Sequence, residues 1–172
     1  MPFIRTYTAI MAVLVLMAGT AANASAQMFI ATGHDTLRGL PGVEVAVENF
    51  EESLERDGLV RGAIQSEIVR RLRAGGIAVY ASQNENPSEA KPYLYVDVNG
   101  VRVPGQELYA IAVQVQLRQT LRSPVTGSNI VDAMTWDART VLAVKSNNLA
   151  AVGDTIQEYV DHFIQDWMAV HR

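Results

Sequence analysis

Two long segments alternate apolar and polar side chains, and this period of two limits what the chain can fold into. In residues 107–121, the odd positions from Tyr109 to Leu117 are large and apolar, while the even positions are small or polar. Residues 131–145 repeat the alternation. Such strands bury one face and leave the other in water. We therefore predict an antiparallel hairpin whose apolar face needs a second layer.

Two amphipathic segments can supply that layer. Residues 54–74 and 149–170 carry apolar side chains at steps of three and four, as a helix with one buried face does. Gly75 stops the first helix, whose start is weakened by nearby glycines. Asn147 or Asn148 is expected to cap the second helix.

Shorter apolar or alternating runs predict further strands at 43–47, 77–81 and 93–98. The pair Asn99-Gly100 after the third run is typical of a two-residue hairpin turn. The chain thus predicts an α/β (α+β) fold. It would be a two-layer sandwich, with a mixed or antiparallel sheet of four to five strands and two amphipathic helices on one face. The order of strands in the sheet stays open.

The N-terminus has a different composition. Arg5 is the only charge in residues 1–26, and residues 9–19 form an unbroken apolar run. That run is shorter than a membrane span and suits the apolar core of a signal peptide. Small residues ending at Ala26 predict cleavage there, so that the mature chain starts at Gln27.

We expect a periplasmic or secreted protein without a stable membrane anchor after cleavage. An uncleaved N-terminal anchor is the alternative, whereas a lipoprotein is excluded because the chain has no cysteine. Residues 27–42 are expected to form an irregular leader, and residues 43–172 a single α/β domain.

Charge and cysteine content exclude several classes of function. Lys and Arg number 14 against 18 Asp and Glu, for a net charge of −4. Nucleic-acid binding depends on clustered basic residues, so we expect no nucleic-acid partner. Zero cysteines exclude disulfides, thiolate metal sites and a cysteine nucleophile.

Several segments resemble a family of small exported bacterial proteins of unknown function. They are LVRGAIQSEIVRRLRAGGIAVY, PYLYVDVNG, ELYAIAVQVQLRQTL and the terminal VGDTIQEYVDHFIQDWMAVH. More distantly, the order of elements is similar to that of periplasmic accessory domains: the TolB N-terminal domain, LptE-like lipoproteins and ABC-transport auxiliary lipoproteins. The resemblance implies an envelope accessory role and no defined chemistry.

Two groups of residues could carry chemistry. His34 and Asp35 are neighbours, as a general base and its orienting carboxylate could be, but adjacent side chains point apart in an extended chain. Glu158, His162 and Asp166 recur at steps of four on the predicted last helix and could offer metal ligands. A single helix face gives an incomplete coordination shell, so a solvated face is the preferred interpretation.

Other charged residues also have an ordinary explanation. Asp97 stands alone among tyrosines and is expected on a wet strand face. A modest basic patch on the first helix could contact anionic lipid, or could simply complement the helix dipole; its members are Arg61, Arg70, Arg71 and Arg73. The motifs of phosphate loops, zinc proteases and calcium loops do not occur in the sequence.

The face of the sheet opposite the predicted helices is the candidate interaction face. Alternation places small, amide and aromatic side chains there, namely Tyr93, Tyr95, Ala110, Ala112, Gln114 and Gln116. Aromatic residues are enriched at protein interfaces, although a solvated sheet face is an equal alternative.

The sequence therefore favours a non-enzymatic periplasmic accessory or scaffold protein that uses this face to contact a protein partner or a second copy. No catalytic residue, metal site or cofactor is predicted. A binder of a small apolar ligand or lipid is the first alternative, and a metal-dependent hydrolase is the second.

Overall fold

The computed structural model describes residues 34–171, so the predicted signal peptide of residues 1–26 lies outside the described part of the chain. The elements are a 3-10 turn (His34–Leu37), β1 (Gly42–Val47), α1 (Glu52–Arg56), α2 (Arg61–Ala74), β2 (Ala78–Tyr80), β3 (Tyr93–Arg102), β4 (Leu108–Arg122), β5 (Asn129–Lys145), a second 3-10 turn (Ser146–Asn148) and α3 (Ala150–Val170).

The five strands form one mixed sheet in the order β2-β1-β3-β4-β5. Strand β1 is parallel to both of its neighbours, whereas β3, β4 and β5 form an antiparallel meander. Helix α2 connects β1 to β2, as a parallel pair requires a crossover. The predicted two-layer sandwich with helices on one face is confirmed.

One apolar core lies between the sheet and the helices. It is built from alternate residues of each strand and from the predicted stripe of α3, which includes Val152, Ile156, Val160 and Phe163. Every odd position of β4 from Tyr109 to Leu117 is at most 1% exposed. The alternation that predicts the hairpin is thus the pattern that makes the core.

The predicted turn at Asn99-Gly100 is wrong, because β3 continues through both residues to Arg102. A Cβ at Gly100 would lie 2.9 Å from Leu54 Cδ1, so this glycine allows α1 to approach the strand. The turn comes later, where the Val103 N–H donates to the Leu108 carbonyl at 2.8 Å.

The prediction of one helix over residues 54–74 is also wrong, since α1 and α2 are separate. Between them, Gly58 adopts a positive φ of 104°, and the Leu59 N–H bonds the Leu54 carbonyl at 2.9 Å. The expected asparagine cap of the last helix is wrong too: α3 follows a 3-10 turn, and Leu149 is its N-cap without a side-chain bond.

Part of the predicted irregular leader contacts the core. Leu37 of the first 3-10 turn is fully buried, and Leu40, between that turn and β1, is 8% exposed. The Thr36 hydroxyl donates to the Thr135 carbonyl of β5 at 3.3 Å. This turn therefore covers the end of the core that lies beside β5.

Two glycines at the helix layer should respond oppositely to alanine. A Cβ at Gly153, inside α3, meets no atom within 4 Å. Gly153→Ala should therefore stabilise the fold by about 0.5–1 kcal/mol, because alanine reduces the conformational entropy of the unfolded chain. A Cβ at Gly75 would lie 2.6 Å from Ile164 Cγ2, so Gly75→Ala should lower the free energy of unfolding by forcing α2 from α3.

Urea denaturation of both variants measures these changes. An equal effect of the two substitutions would contradict the packing of α2 against α3 described above.

Candidate interaction face

The face of the sheet that points away from the helices, here called the outer face, holds all four predicted interaction residues. Tyr95 of β3 lies opposite Gln116 of β4, and Gln114 lies opposite Asp97. Tyr93, two residues before Tyr95 on β3, lies opposite Arg118 of β4. The structure therefore brings these side chains together on neighbouring strands.

Arg118 organises this group. Its guanidinium lies 4.2 Å from the centre of the Tyr95 ring, within the range of a cation–π contact. Its Nε and Nη2 also donate to Gln116 Oε1 at 3.1 and 2.9 Å. The ring and the amide are thus held together by one charge, which fixes the orientation of the Gln116 amide.

The oriented Gln116 amide reaches a buried carboxylate on β5. Its Nε2 donates to Asp137 Oδ1 at 3.2 Å, and Arg139 Nε lies 3.3 Å from the other carboxylate oxygen. Asp137 is only 2% exposed. This buried carboxylate therefore has one partner on β4 and one on its own strand.

Both tyrosine hydroxyls donate to carboxylates that the sequence pattern does not associate with them. Tyr93 bonds Asp132 at 2.6 Å, and Tyr95 bonds Glu48 at 3.0 Å. Burial, and then these carboxylates, raise the pKa of each tyrosine. Both hydroxyls therefore stay protonated near neutral pH, as hydrogen-bond donors rather than bases.

Asp97 belongs to the same group. Burial first, and then the charge of Glu48, raise the pKa of its carboxyl group, while a bond from Asn99 Nδ2 at 2.6 Å opposes the shift. Together these side chains form the polar half of the outer face: Glu48, Tyr93, Tyr95, Asp97, Gln114, Gln116, Arg118, Asp132, Asp137 and Arg139.

The other end of the outer face is apolar. Val101 and Val141 are 71% and 66% exposed, on β3 and β5 respectively. The register places small residues of β4 and β5 beside them. This apolar half consists of Val101, Ala110, Ala112, Val141 and Ala143. Ala110 and Ala112 are part of the predicted face, whereas Val101, Val141 and Ala143 are additions from the structure.

The residues weighed for catalysis or metal binding are not brought together as such a site. Asp166 accepts a bond from Trp136 Nε1 at 2.8 Å and pairs with His34 Nδ1 at 3.3 Å. Through this pair His34 contacts α3. Within residues 34–171, no group of three His, Cys, Asp or Glu side chains could hold a metal ion, so Glu158, His162 and Asp166 do not form one.

The predicted basic patch is largely an intramolecular network. Arg71 joins α2 to α3 through Asp161 at 2.7 Å and Gln157 at 2.7 Å. Arg61 donates to the Val47 carbonyl at 2.7 Å. Arg70 pairs with Glu67, and its hydrogen bond is the main reason that the pKa of Glu67 falls to about 2. These arginines stabilise the helix layer.

Two surface depressions have volumes of about 370 and 490 Å³. The first lies along α3 between Arg71 and Gln165, and the second lies at the start of β4 beside Lys145. Both are lined mainly by polar side chains. Neither opens between helix and sheet, where an apolar ligand would be expected.

Comparison with known proteins adds little to this description. No protein-family model matches the sequence, and no curated protein matches it either. A solved dodecameric PelC variant from Paraburkholderia phytofirmans has 18% identity and a TM-score of 0.45, over 82% of this chain and 97% of its own. Between residues 34 and 171, no helix is long and apolar enough to cross a membrane.

The raised pKa of Asp97 predicts a pH-dependent stability. A carboxyl group whose folded pKa lies above its ordinary value of 3.8 stabilises the fold only at low pH, and that contribution is lost as pH rises through the folded pKa. Asp97→Asn should therefore raise the free energy of unfolding at pH 7, and with it Tm, by an amount below about 1 kcal/mol, because solvent screens this partly exposed group.

This gain in stability over the wild type should disappear as the pH falls toward 3.8. Thermal melts between pH 3 and 8 measure it. Glu67→Gln is the matched control with the opposite sign, because the lowered pKa of Glu67 stabilises the fold at pH 7 and is lost only toward pH 2. A lower Tm for Asp97→Asn at pH 7 would refute the stated environment of Asp97.

Proposed function

We propose that this chain is a non-enzymatic accessory protein of the bacterial periplasm that binds a protein partner through the outer face of its sheet. The observation that carries the proposal is the outer face itself. The described helices all pack on the opposite side, and the outer face combines an ordered polar half with an exposed apolar half.

This combination favours recognition of a folded or extended protein surface. The apolar half offers area that gains free energy when it leaves water. The polar half offers donors and acceptors whose directions are fixed by neighbouring strands, so little conformational freedom is lost on binding. Tyrosine and arginine, as in Tyr95 and Arg118, are also the residue types that dominate binding energy at protein interfaces.

The same bonds argue against catalysis on this face. A general acid or base works best with a pKa near the working pH. Tyr93 and Tyr95 have pKa values shifted upward, and their hydroxyls are engaged with carboxylates. Asp137 is held between an amide and a guanidinium. The two tyrosine hydroxyls therefore serve better as fixed hydrogen-bond donors than as proton carriers.

Substituting both tyrosines with serine tests the proposal. Tyr93→Ser with Tyr95→Ser removes both rings from the outer face, and neither ring belongs to the core. We expect the double variant to fold and to lose its partner. The measurement is affinity purification of the tagged protein from its own periplasm, with quantitative mass spectrometry of what is bound in fixed ratio.

A matched control is Val125→Ser, since this side chain is 90% exposed on the turn between β4 and β5, away from both tyrosines. It should retain the partner at the wild-type ratio. Retention of the same partner by the double tyrosine variant would refute docking through the polar half, provided that circular dichroism shows both variants to be folded.

A further inference from the structure

We propose that the free edge of β5 pairs with β5 of a second copy of this chain, antiparallel and across a twofold axis. In the described part of the chain, strand β5 has a neighbour, β4, on one side only. Its other side presents main-chain groups that no described strand pairs, and such an edge is a template for strand addition. The pairing surface is the main-chain edge of β5, whereas Tyr93 and Tyr95 of the polar half lie on β3, separated from that edge by β4.

The hydrogen bonds between β4 and β5 show which main-chain groups of β5 point toward the free edge. The Ser146 N–H donates to the Glu107 carbonyl at 3.2 Å, so this residue faces β4. In an antiparallel ladder, residues face the two neighbours alternately. The odd residues of the strand before Ser146 therefore present their N–H and carbonyl groups to the free edge, and their side chains to the outer face.

Only half of β5 is regular enough to accept a second strand. Consecutive pairs run without a break from Leu108 with Lys145 to Leu117 with Trp136. Beyond them the register shifts, Asp132 has a positive φ of 56°, and the Thr36 hydroxyl occupies the Thr135 carbonyl. The usable edge is therefore residues 136–145, about 33 Å long, and it contains neither proline nor glycine.

The side chains of this stretch select one register. Full overlap of residues 137–145 with their own copy puts Val141 opposite Val141 of the second copy. It also puts Arg139 opposite Ala143 of the second copy, so no like charges meet along the seam. A register centred on Arg139 would place Arg139 opposite Arg139 of the second copy. Such a pair is unfavourable, because like charges then face each other. The chosen register allows about ten main-chain hydrogen bonds.

The same pairing covers exposed apolar surface. Val141 is 66% exposed, and Ala143 beside it is also exposed. Because an axis perpendicular to the sheet keeps both outer faces on one side, the two apolar halves become neighbours across the seam. Contact between Val141 and Val141 of the second copy adds to the main-chain bonds and gives the second copy a reason to prefer this edge.

A single introduced cysteine tests the register, because the chain has none of its own. In Val141→Cys, the two Cα atoms of a hydrogen-bonded antiparallel pair would be about 5.5 Å apart, within disulfide range. In Ala143→Cys, the two residues would be displaced by about 14 Å along the strands. We expect mild oxidation of the full chain to give disulfide-linked dimers of Val141→Cys and not of Ala143→Cys.

Val101→Cys is the second control, because its side chain is 71% exposed on the same face but away from the seam. It should also stay unlinked. Equal crosslinking of the three variants, or none in Val141→Cys, would overturn the proposal.

A variant without cysteine checks the result by mass. The N–H of residue 141 faces the free edge, so Val141→Pro should keep the β4 ladder while removing an edge donor. Light scattering after gel filtration should show a dimer for the wild type and for Val141→Thr, and a monomer of unchanged circular dichroism for Val141→Pro. A monomeric wild type would overturn the proposal.

The outcome is separable from partner docking, because the variant with serine at both tyrosines should remain a dimer. Loss of the dimer in that variant would overturn the placement of the interface at the β5 edge.

Discussion

The contact between the meander and α3 is the interaction on which the rest of the structure depends. The Trp136 ring of β5 meets Phe163 of α3 edge to face, with centroids 5.2 Å apart, and its Nε1–H bonds Asp166 at 2.8 Å. A buried indole packs well only where its N–H also finds an acceptor. Both conditions are met at one point, so this pair fixes α3 against the long strands. Placing α3 there leaves the opposite face of the sheet for other contacts.

Most of this architecture was predictable, because one physical rule produces it. Alternation in β4 and spacing of three and four in α3 each define a face, and two such faces suffice for two layers. What the sequence did not predict are close approaches between distant segments. Gly100 serves the approach of Leu54 and not a turn. Local turn statistics contain no information about a helix nearly fifty residues earlier, and the same limit applies to strand order.

At the interaction face, too, the sequence pattern predicted the position of each residue on its strand but not its contacts with other strands. Alternation correctly placed Tyr93, Tyr95, Gln114 and Gln116 on one side, since it concerns each strand alone. It missed the charges that neighbouring strands add, such as Glu48 beside Tyr95. The face is therefore more polar and more ordered than its own strands suggest. Arg71 illustrates the converse, since a basic residue that by sequence could contact anionic lipid is paired with Asp161.

The two edges of the sheet differ in a way that bears on how copies can associate. Strand β2 has three residues, whereas β5 has seventeen. A three-residue edge offers too few main-chain bonds to hold an added strand, and short edge strands are one way in which proteins avoid pairing. Strand addition at β5 across a twofold axis uses the long edge of both copies at once. Association of this kind is self-limiting: it ends at two chains, and open-ended polymerisation through the sheet is blocked by the shortness of β2.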